Sequence, residues 1–122
     1  MKVRGIRGAI SVEENTPDAI FAATRELMDE VVARNQLKVD DVASVLLTMT
    51  PDLNAAFPAK AVRSVAGWEW VPLMCSSELH IDGALPRCVR VLLHVNTDLG
   101  QDALSHVYLK GATVLRPDLA DK

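Results

Sequence analysis

The run CVRVLLHV, Cys88 to Val95, places one arginine in the middle of an otherwise apolar strand. Side chains alternate along a strand, so Val89, Val91, Leu93 and Val95 share one face and Cys88, Arg90, Leu92 and His94 the other. The first face needs a second layer to cover it. The second carries a guanidinium, which keeps its charge and is costly to bury unless an anion meets it. No acidic residue lies within the run to serve as that anion. Two readings remain open: an arginine near a strand end whose head snorkels to water, or a cation held ready for an anionic ligand.

The chain of 122 residues fits one domain, 1–122, with room for a genuine core. An apolar fraction of 49% and a mean hydropathy of +0.14 are high for so small a domain. That surplus points to apolar surface buried between subunits. The formal charge is −3, and the basic residues are scattered rather than clustered. This argues against nucleic acid or an anionic membrane as the main partner. MKVRGIRGAISVEEN lacks the apolar core of a signal peptide, and no apolar stretch approaches the ~20 residues of a membrane span. Cys75 and Cys88 then read as free thiols of a cytoplasmic protein.

Lys2 to Val12 reads as a strand interrupted by Gly5 and Gly8, where a backbone or ligand can approach closely. Thr16-Pro17 opens a helix with a hydroxyl cap and proline at the first helical position. Ile20, Thr24, Leu27 and Val31 recur at helical spacing, widened by Ala23 and Met28. This amphipathic helix ends near Asn35. Val42 to Thr50 suits a buried strand, and Pro51 and Pro58 bracket a loop. Ala59 to Val65 makes two helical turns ended by Gly67. Val71 to Leu79 is the next strand, Asp82-Gly83 a turn, and Arg87 to Thr97 the strand of Arg90. Gln101 to Leu104 forms one helical turn, and His106 to Leu115 a last strand before the tail at Arg116-Pro117. The expectation is an α+β domain: a mixed sheet of about five strands, one long amphipathic helix and short helical turns.

No nucleophilic constellation stands out. His80, His94 and His106 lie 14 and 12 residues apart, unlike local zinc motifs, which leaves only a metal site assembled from distant positions. RGIRG lacks the dinucleotide fingerprint, and no phosphate-binding loop is present. Cys75 reads as a nucleophile or, more commonly for a lone cysteine, as small apolar packing. What remains is Arg7, Arg63, Arg90 and Arg116, with Lys60, Glu78 and Tyr108 at similar boundaries. Arginine and tyrosine together suit carboxylate recognition. Plainer roles exist for each: Lys60 and Arg63 on a solvated helix face, Glu78 on the surface, Tyr108 in the core. The residues alone lead to a pocket for a small, multiply anionic molecule, with no covalent catalyst, metal or cofactor.

Taken in order, VRGIRGA, TPDLNAAFPAKAVR, GWEWVPLMCSSEL, RCVRVLLHVNTD and HVYLKGATVLRPDL resemble the trimeric α/β class of chorismate mutase over nearly the whole chain. The resemblance implies a homotrimer with a barrel-like core and active sites between neighbouring subunits. It also implies rearrangement of chorismate to prephenate, on the route to phenylalanine and tyrosine, without any cofactor. Carried over, Arg90 would lie against the breaking ether oxygen, and Arg7 with Tyr108 would grip the side-chain carboxylate. Glu78 and the backbone at Cys75 would receive the ring hydroxyl. Phe57, Ala59, Lys60 and Leu73 would line the opposite wall, with Arg63 and Arg116 near the mouth. Met74 departs from the small polar residue expected there, which puts its role as a substrate contact in doubt. A trimeric module that only binds an anionic metabolite, or an imine deaminase-like trimer, are the competing readings; Glu78 and Tyr108 beside Arg7 and Arg90 favour the mutase.

Overall fold

A computed structural model describes residues 1–115. The element order is β1 (Lys2–Ser11), α1 (Pro17–Asn35), β2 (Val42–Met49), α2 (Ala59–Arg63), β3 (Leu73–Ser77), β4 (Cys88–Thr97) and β5 (Val107–Leu109), with short 3-10 turns between. The strands form one five-stranded sheet in the order β3-β2-β4-β1-β5. β4 runs antiparallel to both β1 and β2, while β5 and β3 add parallel strands at the edges. The sheet is therefore mixed, as expected, and Arg90 lies on its central strand.

One face of the sheet is covered. Val89, Val91, Leu93 and Val95 of β4, with Ile6 and Ile10 of β1 and Val45 and Leu47 of β2, are buried against Ile20, Leu27 and Val31 of α1. Each such side chain contributes about 1.5–3 kcal/mol by leaving water. Thr16 caps α1 by accepting the Ala19 N–H at 3.2 Å, and Pro17 follows as its first residue. Gln36 ends the helix in the left-handed conformation. Thr24 is buried in that helix, but its hydroxyl donates back to the Ile20 carbonyl at 2.7 Å, so no polar group is stranded. Asn35 fixes the far end by bonding both the N–H and the carbonyl of Ser105, just before β5.

Of the two glycines in RGIRG, Gly8 is the one that close approach demands. A Cβ there would stand 3.0 Å from Leu27 of α1 and 3.1 Å from the Val107 carbonyl of β5. The glycine lets helix and edge strand both close onto β1.

Two local expectations change. The last strand, expected over His106 to Leu115, is only Val107–Leu109, and Lys110–Val114 forms a 3-10 turn. Lys110 adopts φ 52°, which swings the chain out of the sheet, and the Gly111 N–H is taken by the Ser11 hydroxyl at 2.9 Å. The turn at Asp82-Gly83 does exist, with Gly83 at φ 82°, but it joins strands that are not neighbours, because β2 separates β3 from β4. Among the described residues no helix is long and apolar enough to cross a membrane.

Candidate active site on the open face of the sheet

The face of the sheet away from α1 carries the polar side chains, and strand register decides which of them meet. Ser76 pairs with Thr48, Thr48 with Arg90, Arg90 with Ala9, and Ala9 with Tyr108. Paired residues point to the same side, so these five form one row across the sheet. The next row runs Met74, Leu46, Leu92 and Arg7. Ala9, being small, leaves space in the row between Arg90 and the buried ring of Tyr108. A cavity of about 180 Å³ opens there, lined by Arg7, Gly8, Ala9, Leu46, Thr48, Arg90, Val91, Leu92 and Tyr108.

Arg90 is the third residue of its strand, paired on both sides, so it is not at a fraying end. Its side chain is 43% exposed, yet its Nε is shut off from solvent. That nitrogen stands 3.2 Å from Oε2 of Glu78, which the chain delivers just after β3. The distance is that of an ion pair, but the Nε–H is not directed at the carboxylate as a hydrogen bond requires. Thr48 supplies the directed bond instead, its hydroxyl donating to the same Oε2 at 2.6 Å. The Glu78 N–H is held by the Met49 carbonyl at 2.8 Å, which anchors the residue from behind. Two arginines against one glutamate leave the cavity net positive. Such a site suits an anion, with the terminal guanidinium nitrogens of Arg90 as donors.

Two neighbouring groups are set by this environment. Burial pushes the Cys88 thiol up to about 11, only partly countered by the nearby Arg90 charge. Arg7 is exposed, and its backbone N–H donates to Nδ1 of His106 at 3.0 Å, tying the strand to the approach to β5.

The other expected site residues fall elsewhere. Phe57, Ala59, Arg63, Leu73 and Cys75, together with Val71, line a second concavity of about 490 Å³. Leu73 and Cys75 point to the helix side of β3, opposite to Met74 and Ser76, because Cys75 pairs with the core residue Leu47. Cys75 and Glu78 are therefore close in sequence but on opposite faces. Lys60 does not line this wall; its ammonium lies 5.9 Å from the centre of the Phe21 ring on α1. Met74 is 70% exposed, at the edge of the open face beside Leu46. Arg116 lies outside the described residues.

Thr48, Ala9 and Leu46 are cavity residues that reading the sequence did not single out. Thr48 has a visible mark, a hydroxyl inside the apolar run VASVLLTMT, but its partner is known only from the register with β4. Among the described residues no group of three or more His, Cys, Asp or Glu could hold a metal ion. His94 lies against the Ser44 hydroxyl and His80 against Asp82, each at 3.0 Å.

The sequence model of the family described as chorismate mutase type I matches residues 3–119. The chorismate mutase AroH of Bacillus subtilis (strain 168) is 48% identical over 120 residues, 98% of this chain and 94% of that protein. The AroH of Thermus thermophilus is 51% identical over 118 residues, 96% of each chain. A solved structure of a chorismate mutase from Clostridium thermocellum superposes with a TM-score of 0.88 at 47% identity, covering 91% of this chain and 98% of that one.

Proposed function

The chain belongs to the type I chorismate mutase family, and from that premise we propose that it is an isomerase converting chorismate to prephenate on the open face of its sheet. The observation that carries this is the row Thr48, Arg90, Ala9 and Tyr108, with Arg7 in the next row, around one net-positive cavity.

The rearrangement is unimolecular, breaking a C–O bond while forming a C–C bond. It needs no nucleophile, proton donor or redox partner. It does need the dianion held in a compact, chair-like conformer, and positive charge beside the ether oxygen as electron density gathers there. Arg90 is the cation for that oxygen. Its Nε stands against Glu78 and the residue lines the cavity, so its terminal nitrogens are the donors left for that oxygen. Arg7 and the Tyr108 hydroxyl take the side-chain carboxylate, and the free oxygen of Glu78 receives the ring hydroxyl. Because these groups are set by the sheet before substrate arrives, little reorganisation opposes the reaction.

The opposite wall comes from a second copy in a homotrimer. A cavity of about 180 Å³ is small for a metabolite site, typically ~300 Å³ or more. The wall with Phe57, Leu73 and Cys75 lies on the other side of the sheet from Arg90, so one chain cannot close both around a ligand. Phe57 is 69% exposed and Met74 70%, apolar surface that suits an interface. In this arrangement Phe57, Ala59, Leu73 and Cys75 of one subunit face Arg90 of the next, with Arg63 toward the mouth. The product feeds phenylalanine and tyrosine synthesis, and two unpaired thiols fit the reducing cytoplasm.

The direct test is purified protein with chorismate, following loss of its absorbance and formation of prephenate. Catalytic turnover that survives chelation is the expected result. Binding without turnover would leave an anion-holding module and overturn the enzymatic reading.

A further inference from the structure

We infer that Thr48 is a positioning residue, whose hydroxyl locks the Glu78 carboxylate so that one oxygen serves Arg90 and the other is kept for the substrate. The inference rests on the reading of the open face as a chorismate site and adds to it a residue that never touches the reacting atoms.

Thr48 and Arg90 are directly opposed in the register of β2 and β4. Both address the same oxygen: the Thr48 hydroxyl donates to Oε2 of Glu78 at 2.6 Å, and Arg90 Nε stands 3.2 Å from it. Only the threonine bond is directed, since the Arg90 Nε–H finds no aligned acceptor. The ion pair alone therefore leaves the carboxylate free to rotate about its last bond. The hydroxyl removes that freedom. With Oε2 doubly engaged, Oε1 has no hydrogen-bond partner among the described residues, and it becomes the acceptor for a ligand donor. The threonine methyl stays on the strand, and β2 itself is held by β3 and β4 on its two sides. Its position is thus rigid, as a locating group requires.

Thr48→Val keeps shape and strand preference but removes the donor. We expect kcat/KM for chorismate to fall about tenfold, divided between kcat and KM in the same proportion as in Glu78→Ala. Thr48→Ser, which retains the hydroxyl, recovers activity to within about threefold of the unaltered enzyme. In the Glu78→Ala background, Thr48→Val should cost no more than about a further twofold, because its partner is already gone. Thr48→Ala, with the same expectations, replaces the valine variant should that chain fold poorly by circular dichroism. A crystal structure of the folded variant should show Glu78 turned from Arg90. Unchanged kcat/KM in Thr48→Val, or full additivity with Glu78→Ala, overturns the positioning role while leaving the mutase reading intact. An unaltered enzyme that does not turn over chorismate overturns both.

Discussion

Asp52 holds the backbone N–H of Arg87 with both carboxylate oxygens, at 2.9 and 3.1 Å, across 35 residues of sequence. The same carboxylate accepts the Thr50 hydroxyl, and Thr50 in turn accepts the Cys88 N–H at 3.0 Å. The first residue of β4 is thereby fastened to the end of β2, two positions before Arg90. Burial raises the Asp52 carboxyl, but the bonds from Thr50 and from the Arg87 backbone outweigh it and hold the group below its ordinary 3.8.

A lowered folded value means that this carboxylate adds stability above its unfolded titration, and that the contribution is lost as pH falls through the folded value. Because Asp52 is exposed and solvent weakens its bonds, Asp52→Asn should cost no more than about 0.5 kcal/mol between pH 5 and 7. The gap between the two proteins should close below 3.8. Urea melts at fixed protein concentration across that range measure it. A gap that widened in acid would contradict the assignment.

Much of this framework was legible beforehand because its signals are local. The Thr16-Pro17 cap and the 3.6-residue spacing of Ile20, Thr24, Leu27 and Val31 locate α1 without tertiary information. The two faces of CVRVLLHV follow from alternation alone. Sheet order is another matter. Glu78 and Arg90 both read as members of one site, but nothing near Glu78 announces that β2 lies between it and β4, so the place of Thr48 beside them stayed hidden. The overlong last strand had a related cause, a left-handed Lys110 where sequence offers only the mild hint of Gly111. Leu73 and Cys75 likewise needed the register, which turns their side chains to the face opposite Met74 and Ser76.

The two cysteines should behave differently. Burial holds the Cys88 thiol up at about 11, and its side chain is fully enclosed. At pH 8 only about one thiol in a thousand would be ionised, and no reagent could reach it. Cys75 is half-buried on the wall with Phe57. Iodoacetamide labelling followed by mass spectrometry should modify Cys75 and spare Cys88 until the chain unfolds. A bound transition-state analogue should protect Cys75. Equal labelling of both thiols would mean that the start of β4 opens readily.

Arg90→Lys keeps the charge and loses the planar fork. The lysine cannot both meet Glu78 and reach the ether oxygen, so transition-state stabilisation of about 3–4 kcal/mol should disappear. We expect kcat to fall by two to three orders of magnitude, with KM changed far less. Steady-state kinetics on chorismate decide it. A near-normal kcat would make Arg90 a structural cation paired with Glu78.

The final prediction tests the two-wall site itself. Arg90→Ala removes the cation from the open face, and Phe57→Asp sets a carboxylate on the wall where a dianion must sit. Each variant alone should be nearly inactive. Unfolded together and refolded at equal ratio, the subunits should assort at random around the threefold ring, making about three-quarters of the trimers mixed. Head-to-tail contacts give every mixed trimer one cleft with both walls intact, so about a quarter of all clefts should recover. A single-chain site predicts no recovery, because no chain then carries both intact residues. If unaltered protein refolds and hybrid trimers form without regained activity, Arg90 and Phe57 do not face each other across a subunit boundary.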